Sequence, residues 1–388
     1  MIIPILRFPE FSGGWENKKL AEVAEKIQDG THFSPKAFDE GNFLYLTSKN
    51  VKNGYIELST AQFISTEAHK SIYKRCDVKK GDVLITKDGT IGQTCVNELE
   101  MEFSLLSSVA FIRPMKEFSN YFIYQLLASD IGQKEIESQI AGQALKRITL
   151  TKINNFEFSF PTLPEQQKIA SFLSVVDEKL QALKKKKSLL EHYKKGVMQK
   201  IFSQELRFKD DDGSEFPEWE EKKLGDVCEI KKGEQLNKDE LTNEGLYPCL
   251  NGGVNPSGFT DKFNSNENTI TISEGGNSCG FVNFMKSKFW LGGHCYKIKP
   301  NTKIKLEYFY QLLKFNENKL MTLRVGSGLP NIQQKDLRNF DIVICNSLSE
   351  QTKIANFLSA IDEKINNLQI QIEKMEIWKK GLLQKMFV

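Results

Sequence analysis

The 388-residue chain carries 53 Lys and Arg against 50 Asp and Glu, a formal charge of +3, with 40% apolar and 11% aromatic residues. This length allows two or three domains with proper cores; the composition excludes a disordered chain, and the near-balanced charge means that any basic surface must come from local arrangement. No apolar run reaches membrane length, Met1-Ile2-Ile3-Pro4-Ile5 is too short for a secretory leader, and seven scattered cysteines without a C-x-x-C pair read as reduced cytosolic thiols. A cytoplasmic location is therefore expected, with neither a zinc site nor a disulfide framework.

Along the chain, an entry segment Leu6-Arg7-Phe8, Trp15-Glu16 and Lys18-Lys19-Leu20 precedes a first globular unit at about 15–161. Short β-branched and aromatic runs predict strands over 43–46, 82–86, 109–112 and 156–160, and apolar spacing predicts a helix near 121–128. A long helix follows. The entry segment then returns as Leu206-Arg207-Phe208, Trp219-Glu220 and Lys222-Lys223-Leu224. It opens a second unit at about 219–346, with strands predicted over 269–272 and 340–344 and a helix over 307–314. The boundaries expected are 1–161, 162–203, 204–346 and 347–388, two similar mixed α/β (α+β) domains each followed by a helix.

The two helices are the clearest element. Glu165-Gln166-Gln167-Lys168-Ile169-Ala170 recurs as Glu350-Gln351-Thr352-Lys353-Ile354-Ala355, an offset of 185 that holds to the end of the sequence. Each helix carries a sustained heptad stripe. Leu173, Val176, Leu180, Leu183 and Leu190 mark the first, and Leu358, Ile361, Ile365, Leu368 and Ile372 the second. Such stripes predict two long helices packed against each other, antiparallel if the repeat has pseudo-two-fold symmetry. Lys187, Lys194 and Lys379 interrupt the stripe, with stems expected to pack and ammonium groups to reach water. Thr162-x-x-Glu165 and Ser347-x-x-Glu350 read as capping boxes, and Gly196 and Gly381 as possible early stops.

Catalytic apparatus is hard to find. The four histidines never approach metal-ligand spacing, Phe281 stands where a P-loop needs lysine, and neither a G-x-S-x-G elbow nor an N/D-P-P-Y/F segment occurs. What remains are polar, glycine-bearing loops with side chains suited to phosphates and base edges. In the first unit these offer Thr31, His32, Lys49, Asn50, Lys87, Asp88, Thr90, Gln143, Lys146 and Arg147. In the second they offer Lys231, Lys232, Gln235, Asn251, Asn277, Ser327 and Asn331. Ordinary turn chemistry selects the same residues, so each loop alone is equally a plain turn. Lys184-Lys185-Lys186-Lys187 is either a solvated helix face or a phosphate-facing one.

With these features in place, the chain resembles the specificity (S) subunit of type I restriction–modification systems. The likeness rests on the two Glu-Gln helix starts, the paired Trp-Glu-x-Lys-Lys-Leu segments and Gly-Asp-Val-Leu-Ile-Thr-Lys-Asp-Gly-Thr-Ile-Gly at 81–92. It implies two target recognition domains separated by two long antiparallel coiled-coil helices. Each domain would read half of a bipartite, asymmetric site in double-stranded DNA, and the helices would set the spacer. It further implies two modification (methyltransferase) subunits that carry S-adenosylmethionine, and restriction/translocase subunits that use ATP and Mg, with no cofactor, metal or membrane partner for this chain. A coiled-coil scaffold whose globular domains bind proteins stays open as the alternative. A self-contained methyltransferase or nuclease is disfavoured by the missing motifs.

Overall fold

The computed structural model describes residues 2–140, 146–326, 328 and 330–388. It divides into two compact units, one formed by residues 1–185 and 369–388, the other by 186–368.

Each unit has the same plan. In the first, a four-stranded antiparallel sheet runs in the order Ala24–Asp29, Val109–Pro114, Val83–Thr86, Thr94–Val96. A three-stranded sheet (Gln62–Ile64, Phe43–Leu46, Phe103–Leu105) and a two-stranded one (Glu16–Lys19, Glu157–Phe160) complete it. The second unit repeats this as Cys228–Lys232, Cys295–Pro300, Thr269–Ser273, Val282–Met285, then Gly258–Thr260, Tyr247–Leu250, Trp290–Leu291, then Glu220–Lys223, Asp341–Ile344. The predicted strands and helices lie within a residue or two of the observed ones, and the helices are Asn120–Ala128 and Leu306–Phe315.

Both long helices, Leu163–Phe202 and Leu348–Met386, run unbroken through Gly196 and Gly381. Among the striped residues Leu173, Val176, Leu180, Leu183, Leu358, Ile361, Leu368 and Ile372 are buried, with Leu190 and Ile365 half-buried. Within the first unit, Asp177 meets Lys379 at 2.5 Å and Lys184 meets Glu376 at 2.6 Å. Numbers rise on one helix as they fall on the other, so the pair is antiparallel. In the second unit Lys194 meets Asp362 at 2.6 Å. This is the same contact with the helices' roles exchanged, since 177 + 185 = 362 and 194 + 185 = 379. The expectation that Lys194 and Lys379 reach water is thereby corrected, each ammonium being held by an aspartate, while Lys187 pairs with Glu191 of its own helix at 2.8 Å. Gln125 and Gln311 donate to the same two carboxylates at 2.7 Å, tying each unit's helix to the pair.

The expected capping boxes are also corrected. Ser347 keeps its half, accepting from the Glu350 N–H at 3.3 Å, but the glutamates turn elsewhere. Glu165 and Glu350 are buried, and each takes a two-pronged guanidinium contact, from Arg7 (2.7 and 2.7 Å) and from Arg207 (3.2 and 3.0 Å). The indole N–H groups of Trp15 and Trp219 add a further bond at 3.3 and 3.1 Å. The adjoining Gln166 and Gln351 accept from the N–H groups of Ser119 and Lys305, the residues that precede the unit helices. Leu20 and Leu224 close the entry segment by donating their N–H groups to Phe156 and Phe340 at 2.9 and 2.8 Å.

Glu350→Ala leaves a guanidinium and an indole without their acceptor, and removing one partner of a buried pair costs about 3–5 kcal/mol. A drop of that size in urea stability is expected for the second unit, followed by Trp219 fluorescence. An unchanged midpoint would show that the glutamate is dispensable.

Candidate nucleic-acid interface

The sheets deliver one loop cluster per unit, held by matching backbone bonds. In the first unit Gly30, Thr31, Lys87, Leu106 and Ile148 donate to Val109, Leu105, Ser108, Leu46 and Lys87 at 2.7–3.2 Å. In the second, Gly233, Glu234, Glu274, Gly292 and Ile332 donate to Cys295, Leu291, His294, Leu250 and Glu274 at 2.7–2.9 Å. Five corresponding bonds make the two frames equivalent position by position. Glycine is required where the first strand ends. A Cβ on Gly30 would lie 1.9 Å from the Leu105 carbonyl oxygen, and one on Gly233 2.3 Å from that of Gly292.

Each cluster encloses a cleft. In the first unit it spans about 1080 Å³ and is lined by Tyr45, Thr47, Ser48, Lys49, Asn50, Asp88 and Ser108, among others. The Tyr45 hydroxyl is buried beside it, without a hydrogen-bond partner among the described residues. Burial pushes its phenol up to about 12, so at neutral pH it stays a donor. In the second unit a cleft of about 470 Å³ is lined by Asn251, Gly252, Gly275, Gly276, His294, Pro330 and Asn331. By frame equivalence Asn251 replaces Thr47, Gly275 replaces Asp88, and His294 replaces Ser108. The backbone is repeated while the side chains are exchanged.

The residues singled out from sequence separate into three groups. His32, Lys49, Thr90, Lys146, Arg147, Lys231, Lys232, Gln235, Asn277 and Asn331 are exposed in these clusters, with Asp88 and Asn251 half-buried. Thr31, Asn50 and Lys87 are buried and already engaged within the chain. The Asn50 amide accepts from Thr47 N–H at 2.9 Å and donates to the Glu57 carbonyl at 3.1 Å, so it braces its own turn. Gln143 and Ser327 lie outside the described residues.

Lys87 is the informative case. Its ammonium is ion-paired with Asp29, both inaccessible, and Asp29 also meets Arg75 at 3.4 Å and His32 at 3.3 Å. In the second unit the frame places Lys232 where Asp29 stands and Glu274 where Lys87 stands, paired at 2.7 Å. The ion pair recurs with its charges reversed. Sequence reasoning missed Tyr45 and placed Asp29 and Glu274 in the polar loops without a role; these two terminate strands or follow them directly, and only the frame shows the ion pairs they make. Glu274 also accepts from the Tyr296 hydroxyl at 3.0 Å and keeps its second oxygen without a hydrogen-bond partner.

Residues 12–192 and 217–374 match the family described as "Type I restriction modification DNA specificity domain". The chain belongs to this family. A type I specificity subunit of Mycoplasma genitalium is 37% identical over 40% of this chain and 41% of its own length. The chain thus spans less than half the length of that relative. The specificity subunit of the type I restriction enzyme MjaIX from Methanocaldococcus jannaschii is 24% identical over 96% of this chain and 92% of its own. The crystal structure of the S subunit of a type I restriction–modification system from M. genitalium shares the fold, with a TM-score of 0.70 at 20% identity, over 100% of this chain and 99% of that one.

The two ion pairs differ in burial, and so in worth. Lys87→Ala leaves Asp29 buried with weaker partners and is expected to lower stability by about 3–5 kcal/mol. Lys232→Ala removes a half-exposed lysine and is expected to cost under about 1 kcal/mol. Thermal unfolding of the two variants side by side checks the order, and equal losses would contradict it.

Proposed function

We propose that the chain is the non-catalytic DNA-specificity subunit of a type I restriction–modification assembly. Each unit reads one half of a bipartite, asymmetric duplex site through its loop cluster. The observation that carries this reading is the pair of clefts: one backbone frame, presented twice, with different side chains at nearly every lining position. Reading two unlike half-sites requires such a frame. The exposed Lys, Arg, Asn, Gln and His groups around the clefts supply donors for phosphates and for guanine and adenine edges. Two modification subunits would carry S-adenosylmethionine and the methyl-transfer chemistry, and restriction subunits would supply ATP- and Mg-dependent steps. The two long helices would dock the modification subunits and hold the reading units at a set spacing.

Tyr45→Phe tests the division of labour. Its hydroxyl has no partner to lose, so stability of the free chain is expected to stay unchanged. If the hydroxyl bonds a base edge, affinity falls by about 1 kcal/mol, with relaxed preference in one half-site only. Sequencing methylated bases in cells that carry the variant reads this directly, and a change in both half-sites alike would refute two independent reading units.

The helices are tested by adding one heptad after Leu183 and one after Leu368. Seven residues lengthen a helix by about 10 Å, roughly three base pairs at 3.4 Å each, while preserving the stripe. The expected outcome is a longer spacer between unchanged half-sites, or lost binding with folding intact where DNA twist turns the second half-site away. The original spacer at full affinity would exclude a ruler.

A further inference from the structure

The registers of the two four-stranded sheets align rung by rung. On the outer face of the first unit, one rung reads Gln28, Phe111, Leu84, Cys95; its counterpart in the second reads Lys231, Lys297, Thr271, Asn283. The next outer rung pairs Lys26 with Arg113 in the first unit and Glu229 with Lys299 in the second.

In the first unit this face is covered. Segment 65–82 packs Ile72, Cys76 and Val78 into the cluster that contains Phe111, Leu84 and Cys95. It also brings Asp77 and Asp82 onto Arg113 at 3.2 and 2.8 Å, and Asp77 onto Lys26. The second unit has the shorter segment 261–268 in its place. There the face opens into a cleft of about 540 Å³ lined by Glu229, Lys231, Lys297, Lys299, Asn266 and Asn268, among others. Lys231 is paired with Glu229 at 2.7 Å. Among the described residues neither Lys297 nor Lys299 has a carboxylate within 4 Å. The cleft therefore sets three ammonium groups against the single carboxylate of Glu229, a surplus of positive charge at the position where the first unit supplies its own carboxylates.

We infer that this cleft is a second anion site, which takes phosphates of the DNA backbone and lies apart from the base-reading loops. The inference rests on the proposed DNA reading, and DNA is the ligand favoured because the surplus charge spans two paired strands, as the successive phosphates of a polyanion require, and the strand that carries Lys231 runs directly into the second loop cluster at Gly233. Phosphate contacts position a protein without selecting sequence, and each adds about one unit to the salt dependence of binding.

The test uses the full chain assembled with its modification partner, on duplexes with and without the methylated site, across a salt series. The double variant Lys297→Gln/Lys299→Gln is expected to weaken binding to both duplexes alike and to lower the slope of log K against log salt by about 2. The methylated sequence should stay unchanged, and Lys297→Arg/Lys299→Arg should restore affinity and slope. An unaltered slope in the Gln variant overturns the site. So does loss of a co-purifying acidic protein with DNA binding intact, which would make the cleft a protein dock. If the unsubstituted assembly binds neither duplex, the DNA reading itself fails first.

Discussion

The dipeptide Glu-Gln that opens each long helix is the constraint on which the rest of the structure depends. A carboxylate taken out of water costs several kcal/mol unless it is both paired and hydrogen-bonded. Glu165 and Glu350 meet that condition only if the entry segment folds back to deliver an arginine and an indole. The neighbouring glutamine bridges to the residue before the unit helix and to a carbonyl just upstream of the long helix, Pro161 or Cys345. Three segments distant in sequence therefore meet at two adjacent side chains. The side chains in this junction, Arg, Trp, Glu and Gln, are the ones that repeat between the halves of the chain, because none of them can change without leaving a buried charge or a buried amide unsatisfied. The backbone partners, by contrast, are supplied by unlike residues, Ser119 or Lys305 and Pro161 or Cys345.

Beyond that anchor, the frame of each unit is held largely by backbone hydrogen bonds, which place no demand on side-chain identity. The loop clusters illustrate the consequence. Five corresponding backbone bonds fix the loops, so Thr47 and Asn251, or Ser108 and His294, occupy one position with unrelated chemistry. The ion pair at the strand ends is held to complementarity but not to polarity. Asp29 with Lys87 and Lys232 with Glu274 both neutralise the same spot, and a sign reversal costs nothing when both members change together. A scaffold of this kind tolerates new surface chemistry without new folding problems.

The family, the repeat, the antiparallel helices and six of the twenty described strands were legible in the sequence because each is written in periodicity or in contiguous motifs. What escaped depends on contacts between segments far apart. Lys194 and Lys379 look like flaws in a stripe until Asp362 and Asp177, off the stripe on the facing helix, are seen beside them. Lys87 sits in a glycine-bearing turn and reads as solvent-facing. Its burial follows from strand pairing, and from Arg75, which joins it at Asp29 from a segment that only the first unit has. Tyr45 belongs to Phe43-Leu44-Tyr45-Leu46, an apolar run that reads as pure core, yet the residue borders the cleft. Glu165 and Glu350 matched a capping pattern at the right spacing, and a stronger acceptor demand from a distant arginine took them.

The unlike outer faces of the two sheets separate solvation from charge. Where segment 65–82 covers the first sheet, the rung beneath it must be apolar, and Phe111, Leu84 and Cys95 are. Where that cover is shortened, exposed apolar strands would invite association with other chains, so a polar replacement follows from solvation alone. Asn283, half-exposed, satisfies that need without charge. Solvation gives no reason for Lys297 and Lys299, since neutral residues would serve equally and adjacent ammonium groups repel. Glu229 relieves part of the repulsion, and its carboxylate is held below the ordinary range by Lys231 first and by Lys299 and Lys297 after it. The surplus positive charge is thus a cost that the isolated unit carries, and it is relieved when an anion occupies the open face.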